Sequence, residues 1–206
     1  MKTVIVTQGV EYIPNRNETR DFIDQKLIEF ILASGLVPVP IPNFNELMQG
    51  SRTETEISIF NWINMISPTG FILSGGNDIG TQPARDFTEK TCLKYASKEN
   101  LPVLGICRGM QMLAIWGSGS LVSVSNHVAT RHRLSGSFEH EVNSYHSKGI
   151  LSCPNDFQIT ARCLDGTIEA ITHKTLSWQG WMWHPEREET FSQIDINNVK
   201  IIFCGK

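Results

Sequence analysis

The sequence predicts an α/β domain with a mostly parallel central sheet and helices on both faces. In the first half of the chain, short apolar or β-branched segments alternate with segments of helical spacing, which is typical of βαβ units. Strand-like segments bounded by turn residues dominate the second half, and they predict extra β-hairpin strands. The 206 residues suffice for one domain, residues 1–206, with a sizeable core.

In the first half, each predicted strand is followed by a predicted helix. The strands are apolar or β-branched and comprise Lys2–Thr7, Leu36–Ile41, Gly70–Leu73 and Val103–Ile106. The helices repeat apolar residues three and four positions apart and comprise Arg20–Ser34, Glu54–Ile66, Ala84–Lys98 and Arg108–Trp116. Prolines in the second strand favour an edge position or a strand end. The polar segment QGVEYIPNRNET, residues 8–19, is predicted to be a loop.

In the second half, turn residues such as Asp165-Gly166 separate the predicted strands. These strands are Glu141–Tyr145, Gln158–Leu164, Ile168–Thr172 and Ser177–Trp183. The segment Ile194–Phe203 fits either a helix or a strand. Since no repeat or linker divides the chain, we expect both halves to share one core.

Composition excludes several classes of function. The net charge of -3 leaves no basic surplus for nucleic acid. No apolar run approaches the ~20 residues of a membrane span, and the first residues do not read as a signal peptide, so we expect a cytoplasmic protein. The five cysteines are an odd number and argue against a disulfide framework. The histidines are scattered: we predict no metal site and no cofactor, with His127, His132 and His140 at the surface.

The segment VLGICRGMQ, residues 103–111, is typical of a nucleophile elbow. Cys107 follows a buried strand and begins a helix, at the sheet edge where ligands bind. Gly105 and Gly109 lack the Cβ atoms that would keep strand and helix apart. The helix N-terminus favours a thiolate, and the backbone N–H of Arg108 can face an oxyanion. A buried structural cysteine is the alternative, and we prefer that interpretation for the other four.

A histidine and a glutamate follow the last predicted strand. His184 and Glu186 are two residues apart, so in an extended segment their side chains share a face, and Pro185 between them excludes a helix. The carboxylate can therefore orient an imidazole that serves Cys107 as a base. A surface turn is the alternative.

The segment LSGGNDIG, residues 73–80, offers a second oxyanion donor. Gly75 and Gly76 follow a strand and can direct a backbone N–H at a developing negative charge. One alternative is a tight turn without a ligand. The other is a phosphate loop, but the lysine of that motif is missing.

Together these motifs resemble the class I glutamine amidotransferases, a family with a Cys-His-Glu triad. The motifs similar to those of the whole family are GICRGMQ, WHPE and LSGGNDI. Those that resemble its stand-alone γ-glutamyl hydrolase branch are EVNSYHS, DGTIEAI and RDFIDQ. The matches occur in order from about residue 20 to residue 187, over most of the chain.

The resemblance implies a flavodoxin-like fold and a triad of Cys107, His184 and Glu186. It implies oxyanion donors at Gly76 and Arg108. The residues expected to contact the bound substrate are Gly75, Asn77, Gln111 and His146. For the last two, the alternatives are a plain helix residue and a surface residue at a strand end.

The implied activity is hydrolysis of a small γ-glutamyl amide through a thioester on Cys107. The resemblance to stand-alone members implies, as the specific substrate, a glutamyl amide of cytidine diphosphate used in bacterial capsule synthesis. Two departures from the branch leave the leaving group open. The first is His146-Ser147-Lys148 where the branch often reads His-His-Gln, and the second is a loop after GGNDIG without the usual aromatic residue.

Other functions remain open from the sequence. One is a glutaminase subunit that supplies ammonia to a separate synthetase, and another is a hydrolase of γ-glutamyl amines such as γ-glutamyl-GABA. A redox module with Cys107 as its reactive thiol and a nucleotide-binding domain are further alternatives. We expect no nucleic-acid or membrane partner and consider a homodimer. The cations considered for a phosphorylated substrate are Arg16, Arg20, Arg108, Arg131 and Arg133.

Overall fold

The computed structural model describes residues 2–48 and 50–205, and within these ranges thirteen strands and five α-helices form. The strands are β1 (Lys2–Val6), β2 (Gly9–Ile13), β3 (Glu18–Phe22), β4 (Leu36–Pro40), β5 (Phe71–Leu73), β6 (Val103–Ile106), β7 (Leu121–Ser123), β8 (Val128–Gly136), β9 (Glu141–Tyr145), β10 (Lys148–Ile150), β11 (Phe157–Cys163), β12 (Ile168–His173) and β13 (Trp178–Trp181). The helices are α1 (Gln25–Ala33), α2 (Arg52–Ile66), α3 (Pro83–Lys98), α4 (Arg108–Trp116) and α5 (Gln193–Cys204).

Nine strands form one mixed sheet in the order β4-β1-β5-β6-β13-β12-β11-β8-β9. The first five pair in parallel, and counted along the chain their order is 2-1-3-4-5, that of flavodoxin-like folds. The other four extend the sheet with antiparallel pairing. The predicted fold class is confirmed, and β4, the strand with prolines, lies at the edge.

Apolar layers cover both faces of the sheet, as buried parallel strands require. One layer contains side chains of α1 and α5, such as Phe30 and Val199. The other contains side chains of α2, α3 and α4, such as Ile59 and Leu113. Residues from both halves of the chain pack in each layer. No helix in the described ranges has the length and apolar character needed to cross a bilayer; the cytoplasmic location and the homodimer stay predictions.

Two local predictions near the N-terminus are wrong. The segment 8–19 is not a loop, because most of it pairs with the residues that follow in an antiparallel hairpin of β2 and β3. Asn17 closes its turn with a φ of 48°, and the ring of Phe22 covers Gly9. The first helix therefore begins at Gln25 rather than Arg20. Asp24 caps it by accepting a hydrogen bond from the backbone N–H of Lys26 at 2.9 Å.

The second half contains three strands that the sequence did not reveal: β7, β8 and β10. The long strand β8 forms a hairpin with β9 and pairs on its other side with β11. Most of its residues are exposed, so its sequence lacks the apolar alternation that marks a strand. The ambiguous C-terminal segment forms α5, whose N-terminus is capped by Ser192.

Candidate active site

Cys107 lies between β6 and α4 in a strained backbone conformation. Its φ of 49° and ψ of -104° are rare for a residue with a Cβ and cost about 1–3 kcal/mol. A Cβ on Gly105 would lie 2.5 Å from the carbonyl carbon of Gly109, and one on Gly109 would overlap the carbonyl oxygen of Leu73. The two glycines therefore allow the close strand–helix approach predicted from the sequence, and the turn has the geometry of a nucleophile elbow.

His184 lies beside Cys107 and is held on its other side by Glu186. The predicted extended segment is wrong, because Pro185–Arg187 forms a 3-10 helix; proline is tolerated in the first turn of a helix, where its missing N–H has no partner to lose. Nδ1 of His184 and Oε1 of Glu186 are 2.5 Å apart, and the Cys107 side chain is the second hydrogen-bond partner of the ring. All three side chains are buried. Burial lowers the pKa of His184, but hydrogen bonds to Cys107 and Glu186 outweigh it and raise that pKa to about 9. At neutral pH the ring is therefore an imidazolium between a sulfur and a carboxylate.

The sheet brings these distant segments together. β6 and β13 are parallel neighbours, so Cys107 and the WHPE segment leave the same edge. The backbone N–H of Cys107 donates to the carbonyl of Trp181 at 2.7 Å. Asn143 on β9 then positions His184, accepting from its backbone N–H at 3.0 Å and donating to its carbonyl at 2.7 Å. Asn143 was missed, although the VNS motif contains it.

The loop after β5 lies against the same histidine. A Cβ on Gly75 would come within 2.5 Å of the His184 ring, so this glycine leaves space for the imidazole. Gly76 has a φ of 114°, which favours glycine, and it lines the cavity at Cys107 together with Arg108. Both residues predicted to supply oxyanion donors thus line the cavity that Cys107 lines, and their role as donors stays a prediction.

A buried ion network lies behind this loop. The guanidinium of Arg108 pairs with Asp86 and Glu89, and Arg85 pairs with Glu89 at 3.0 Å. Arg85 also donates to the carbonyl of Gly75 at 2.8 Å. The network connects α3 to the loop and to the first turn of α4. Its sequence signal was weak, because Arg85 and Glu89 are spaced like any solvated helix pair.

Three of the residues predicted to contact substrate form hydrogen bonds to the backbone of other residues of the chain. The amide of Asn77 bonds the backbone N–H and carbonyl of Val10, each at 2.9 Å, and Asn77 lies outside the lining of the cavity at Cys107. Gln111 and His146 line that cavity. Both also contact the carbonyl of Lys148, at 3.0 and 3.1 Å, and so hold the segment 146–148. A direct contact of any of these side chains with substrate stays a prediction.

The cavity at Cys107 has a volume of about 120 Å³ and is lined mainly by polar groups. Two cations in its lining, Lys148 and Arg187, were missed. Arg187 lies 4.7 Å over the ring of Tyr145. Of the arginines considered from the sequence, Arg108 lines the cavity, but its guanidinium is paired with carboxylates. A larger cavity of about 380 Å³ at α2, α3 and α4 is lined by neither a cysteine nor a histidine.

The predicted surface position is wrong for His127. This side chain is 1% exposed, and its ring centroid lies 4.3 Å from that of His132 and 4.7 Å from that of His146. His132 and His140 are half-buried. The pairing of β8 with β9 brings His127, His132 and His146 together. Strand β8 was not recognised in the sequence.

Comparison with known families agrees with this geometry. The profile of "Glutamine amidotransferase class-I" matches residues 42–201, more than half of the chain. The chain belongs to this family. The match includes the nucleophile elbow and the His184–Glu186 pair.

Individual members of the family are similar over part of the chain. The γ-glutamyl-CDP-amidate hydrolase of Campylobacter jejuni is 36% identical over 138 residues, which cover 64% of this chain and 66% of that protein. A glutamine-hydrolyzing GMP synthase subunit of Methanothrix thermoacetophila is 29% identical over 134 residues, 60% of this chain and 74% of that protein. A solved Thermoplasma acidophilum structure, provisionally assigned to the same GMP synthase subunit, has a TM-score of 0.70 at 20% identity over 98% of this chain and 92% of its own. This likeness supports the fold.

Proposed function

We propose that the protein hydrolyses a γ-glutamyl amide through a γ-glutamyl thioester on Cys107. The observation that carries the proposal is a cavity lined by Cys107 and His184 in a class I glutamine amidotransferase fold, with Glu186 bonded to the other ring nitrogen of His184. The best specific substrate is a γ-glutamyl-CDP-amidate, cleaved to glutamate and cytidine diphosphoramidate. The scheme needs no cofactor.

In the first step, the Cys107 sulfur attacks the γ-carbonyl carbon and the carbonyl π electrons move to oxygen. Backbone N–H groups of Gly76 and Arg108 stabilise the oxyanion. As the carbonyl re-forms, the C–N bond breaks, and the imidazolium of His184 donates its proton to the departing nitrogen. The raised pKa of His184, about 9, keeps that proton available at neutral pH.

In the second step, the neutral imidazole of His184 takes a proton from water as the water oxygen attacks the thioester carbon. Collapse of the tetrahedral intermediate breaks the C–S bond, releases glutamate and restores the sulfur as a thiolate. Glu186 stays ionised throughout and stabilises the imidazolium each time it forms.

The cavity supports a charged leaving group. Its 120 Å³ is well below the roughly 300–1,000 Å³ of sites that enclose drug-sized ligands, so the glutamyl group lies inside and a nucleotide outside. Lys148 and Arg187 at its wall can pair with phosphate oxygens. The relative from Campylobacter jejuni is named for such a substrate.

Incubation of the purified protein alone with three compounds tests the proposal: glutamine, γ-glutamyl-GABA and the γ-glutamyl amide of cytidine diphosphate. We expect glutamate release to be fastest from the nucleotide compound, and a glutamyl adduct on Cys107 in mass spectra of quenched reactions. If γ-glutamyl-GABA were the only compound hydrolysed, the nucleotide substrate would be rejected, but hydrolysis of a γ-glutamyl amide through Cys107 would still hold.

A glutaminase that serves a separate synthetase is the second candidate, favoured by the similarity to the glutamine-hydrolyzing GMP synthase subunit of Methanothrix thermoacetophila. Such a glutaminase uses the same residues but is nearly idle without its synthetase. This candidate would be favoured if the pure protein hydrolysed none of the three compounds while iodoacetamide still alkylated Cys107.

A further inference from the structure

Three histidines and a glutamate meet at the loop between β9 and β10. They are His127, His132, His146 and Glu169, and their nearest ring nitrogens and carboxylate oxygen all lie within 4.8 Å of one another. His127, His146 and Glu169 are buried, and Glu169 is 0% exposed. The catalytic scheme uses none of the four. We call these four residues the histidine cluster.

The outer ring nitrogens of two of these histidines are held by oxygen acceptors. Nε2 of His127 lies 2.8 Å from Oδ2 of Asp165, and Nδ1 of His146 lies 3.1 Å from the carbonyl oxygen of Lys148. A carboxylate and a carbonyl only accept hydrogen bonds, so each of these nitrogens carries its hydrogen. In a neutral imidazole the second nitrogen then presents a lone pair.

With both rings neutral, the inner nitrogens direct lone pairs at each other. Nδ1 of His127 and Nε2 of His146 are 3.2 Å apart. Oε1 of Glu169 lies 3.5 Å from the first and 3.4 Å from the second. Neither oxygen of Glu169, nor Nε2 of His132, has a hydrogen-bond partner among the described residues. Buried electron-rich atoms in such proximity are unfavourable unless a cation lies between them.

The three distances fit one face of a tetrahedral metal site. Bonds of 2.0–2.1 Å to zinc in tetrahedral geometry place neighbouring ligand atoms about 3.3–3.4 Å apart. The observed separations are 3.2, 3.4 and 3.5 Å. Histidine ligands of metals commonly donate their other N–H to a carboxylate or backbone carbonyl, as His127 and His146 do here.

We propose that the histidine cluster binds a divalent transition-metal ion of the zinc class. His127 Nδ1, His146 Nε2 and a Glu169 oxygen are three ligands, and His132 Nε2 is the fourth. Imidazole nitrogen and carboxylate oxygen suit Zn²⁺ better than the hard cations. A surface cavity of about 310 Å³, lined in part by His132 and Asp165, gives the ion a route from solvent. The proposal does not rest on the proposed function.

The ion would stabilise one wall of the active-site cavity. His146 belongs to the histidine cluster and also lines the cavity at Cys107. Its outer nitrogen contacts the Lys148 carbonyl, which also accepts from Gln111 on α4. Fixing the His146 ring therefore fixes the segment 146–148, which lines the same cavity as Cys107. The ion has a positioning role in this arrangement and takes no part in bond breaking.

Uptake of Co²⁺ by the metal-stripped full-length protein tests the proposal. Cobalt replaces zinc in tetrahedral sites and absorbs visible light. The titration uses the Cys107→Ser variant, since a thiolate beside His184 can also bind the probe. We expect one equivalent of Co²⁺ per chain, with the visible bands of four-coordinate cobalt, and its displacement by Zn²⁺. Absence of uptake by Cys107→Ser, whose histidine cluster is intact, would overturn the proposal.

Variants in the same background locate the ion. Glu169→Gln and His127→Gln should abolish the bands. Asp165→Asn replaces the carboxylate that accepts from His127, and also from Cys163 and Thr167, and should weaken binding about 10–100-fold. The matched control is His173→Asn, because His173 lies on the same strand as Glu169 but outside the histidine cluster; it should bind as the parent does. Circular dichroism verifies folding. The assignment would be overturned if Glu169→Gln bound Co²⁺ as tightly as His173→Asn does. It would also be overturned if folded Asp165→Asn bound Co²⁺ as tightly as the parent. Either result would place the ion elsewhere.

Discussion

Two buried histidine sites reach the cavity at Cys107, and they differ in how their ring nitrogens are satisfied. His184 has Glu186 on one nitrogen and Cys107 on the other, so both of its N–H groups meet acceptors. In the histidine cluster, only the outer nitrogens of His127 and His146 meet acceptors, and the inner ones face each other. Histidine and glutamate thus form a proton carrier in one place and a metal ligand set in the other. The positions of the hydrogen-bond acceptors around the rings decide which of the two roles a site has.

The largest expected effect concerns the nucleophile of the first site. Cys107→Ala removes the covalent route and should lower kcat/KM for a γ-glutamyl amide about a millionfold, as loss of a triad nucleophile does. The matched control is Cys153→Ala, a half-buried cysteine away from the cavity, which should keep normal rates. A Cys107→Ala enzyme with most of its activity would reject the nucleophile assignment.

Loss of the Glu186 carboxylate at the first site should have the second-largest effect on activity. Glu186→Gln should lower kcat about ten-thousandfold, with exposed Glu189→Gln as the control. In the wild type, activity that needs protonated His184 should decline as the pH rises through about 9. Glu186→Gln removes a hydrogen bond and a charge that raise this pKa, so the decline should begin at lower pH. An unchanged alkaline limb in the pH–rate profile would show that Glu186 does not act through His184.

For the histidine cluster, we expect Glu169→Gln to have a lower Tm than the wild type in zinc, but an equal or higher Tm in chelator. At a zinc concentration of about 100 Kd, binding stabilises the wild type by about 2.7 kcal/mol, which corresponds to about 5–10 °C in Tm. Glu169→Gln should lose this shift. In chelator, the same variant should melt at or above the wild-type Tm, because a neutral amide replaces an unpartnered buried carboxylate. A lower Tm in chelator together with an intact zinc shift would contradict the comparison.

The smallest expected effect concerns backbone support of the first site. Asn143→Ala removes two hydrogen bonds to the backbone of His184. Loss of about 1.4 kcal/mol from this support corresponds to a tenfold fall in kcat/KM. Exposed Asn155→Ala is the control. Equal rates for the two variants would show that Asn143 does not position the imidazole.

Local patterns predicted the parts of the site that depend on neighbouring residues. The strand Val103–Ile106 and the helix Arg108–Trp116 have the predicted bounds, and the glycines around Cys107 act sterically as expected. The β2–β3 hairpin was missed because Phe22 and Ile23 continue the apolar spacing of α1. Strand β8 was missed because most of its residues are exposed and do not alternate between apolar and polar.

The sequence by itself determined the family, the fold class, the elbow at Cys107 and the pairing of His184 with Glu186, because the motifs that indicate them lie in short segments. It did not determine the backbone of that pair, which is a 3-10 helix over Pro185–Arg187 rather than an extended segment. Tertiary structure alone decided which atoms face one another across the sheet. It placed His127, just before β8, beside Glu169 on β12, placed Asn143 on the backbone of His184, and brought Arg187 to the cavity. Protonation and metal binding depend on such distances of a few ångströms, and strand pairing fixes those distances only in the folded chain.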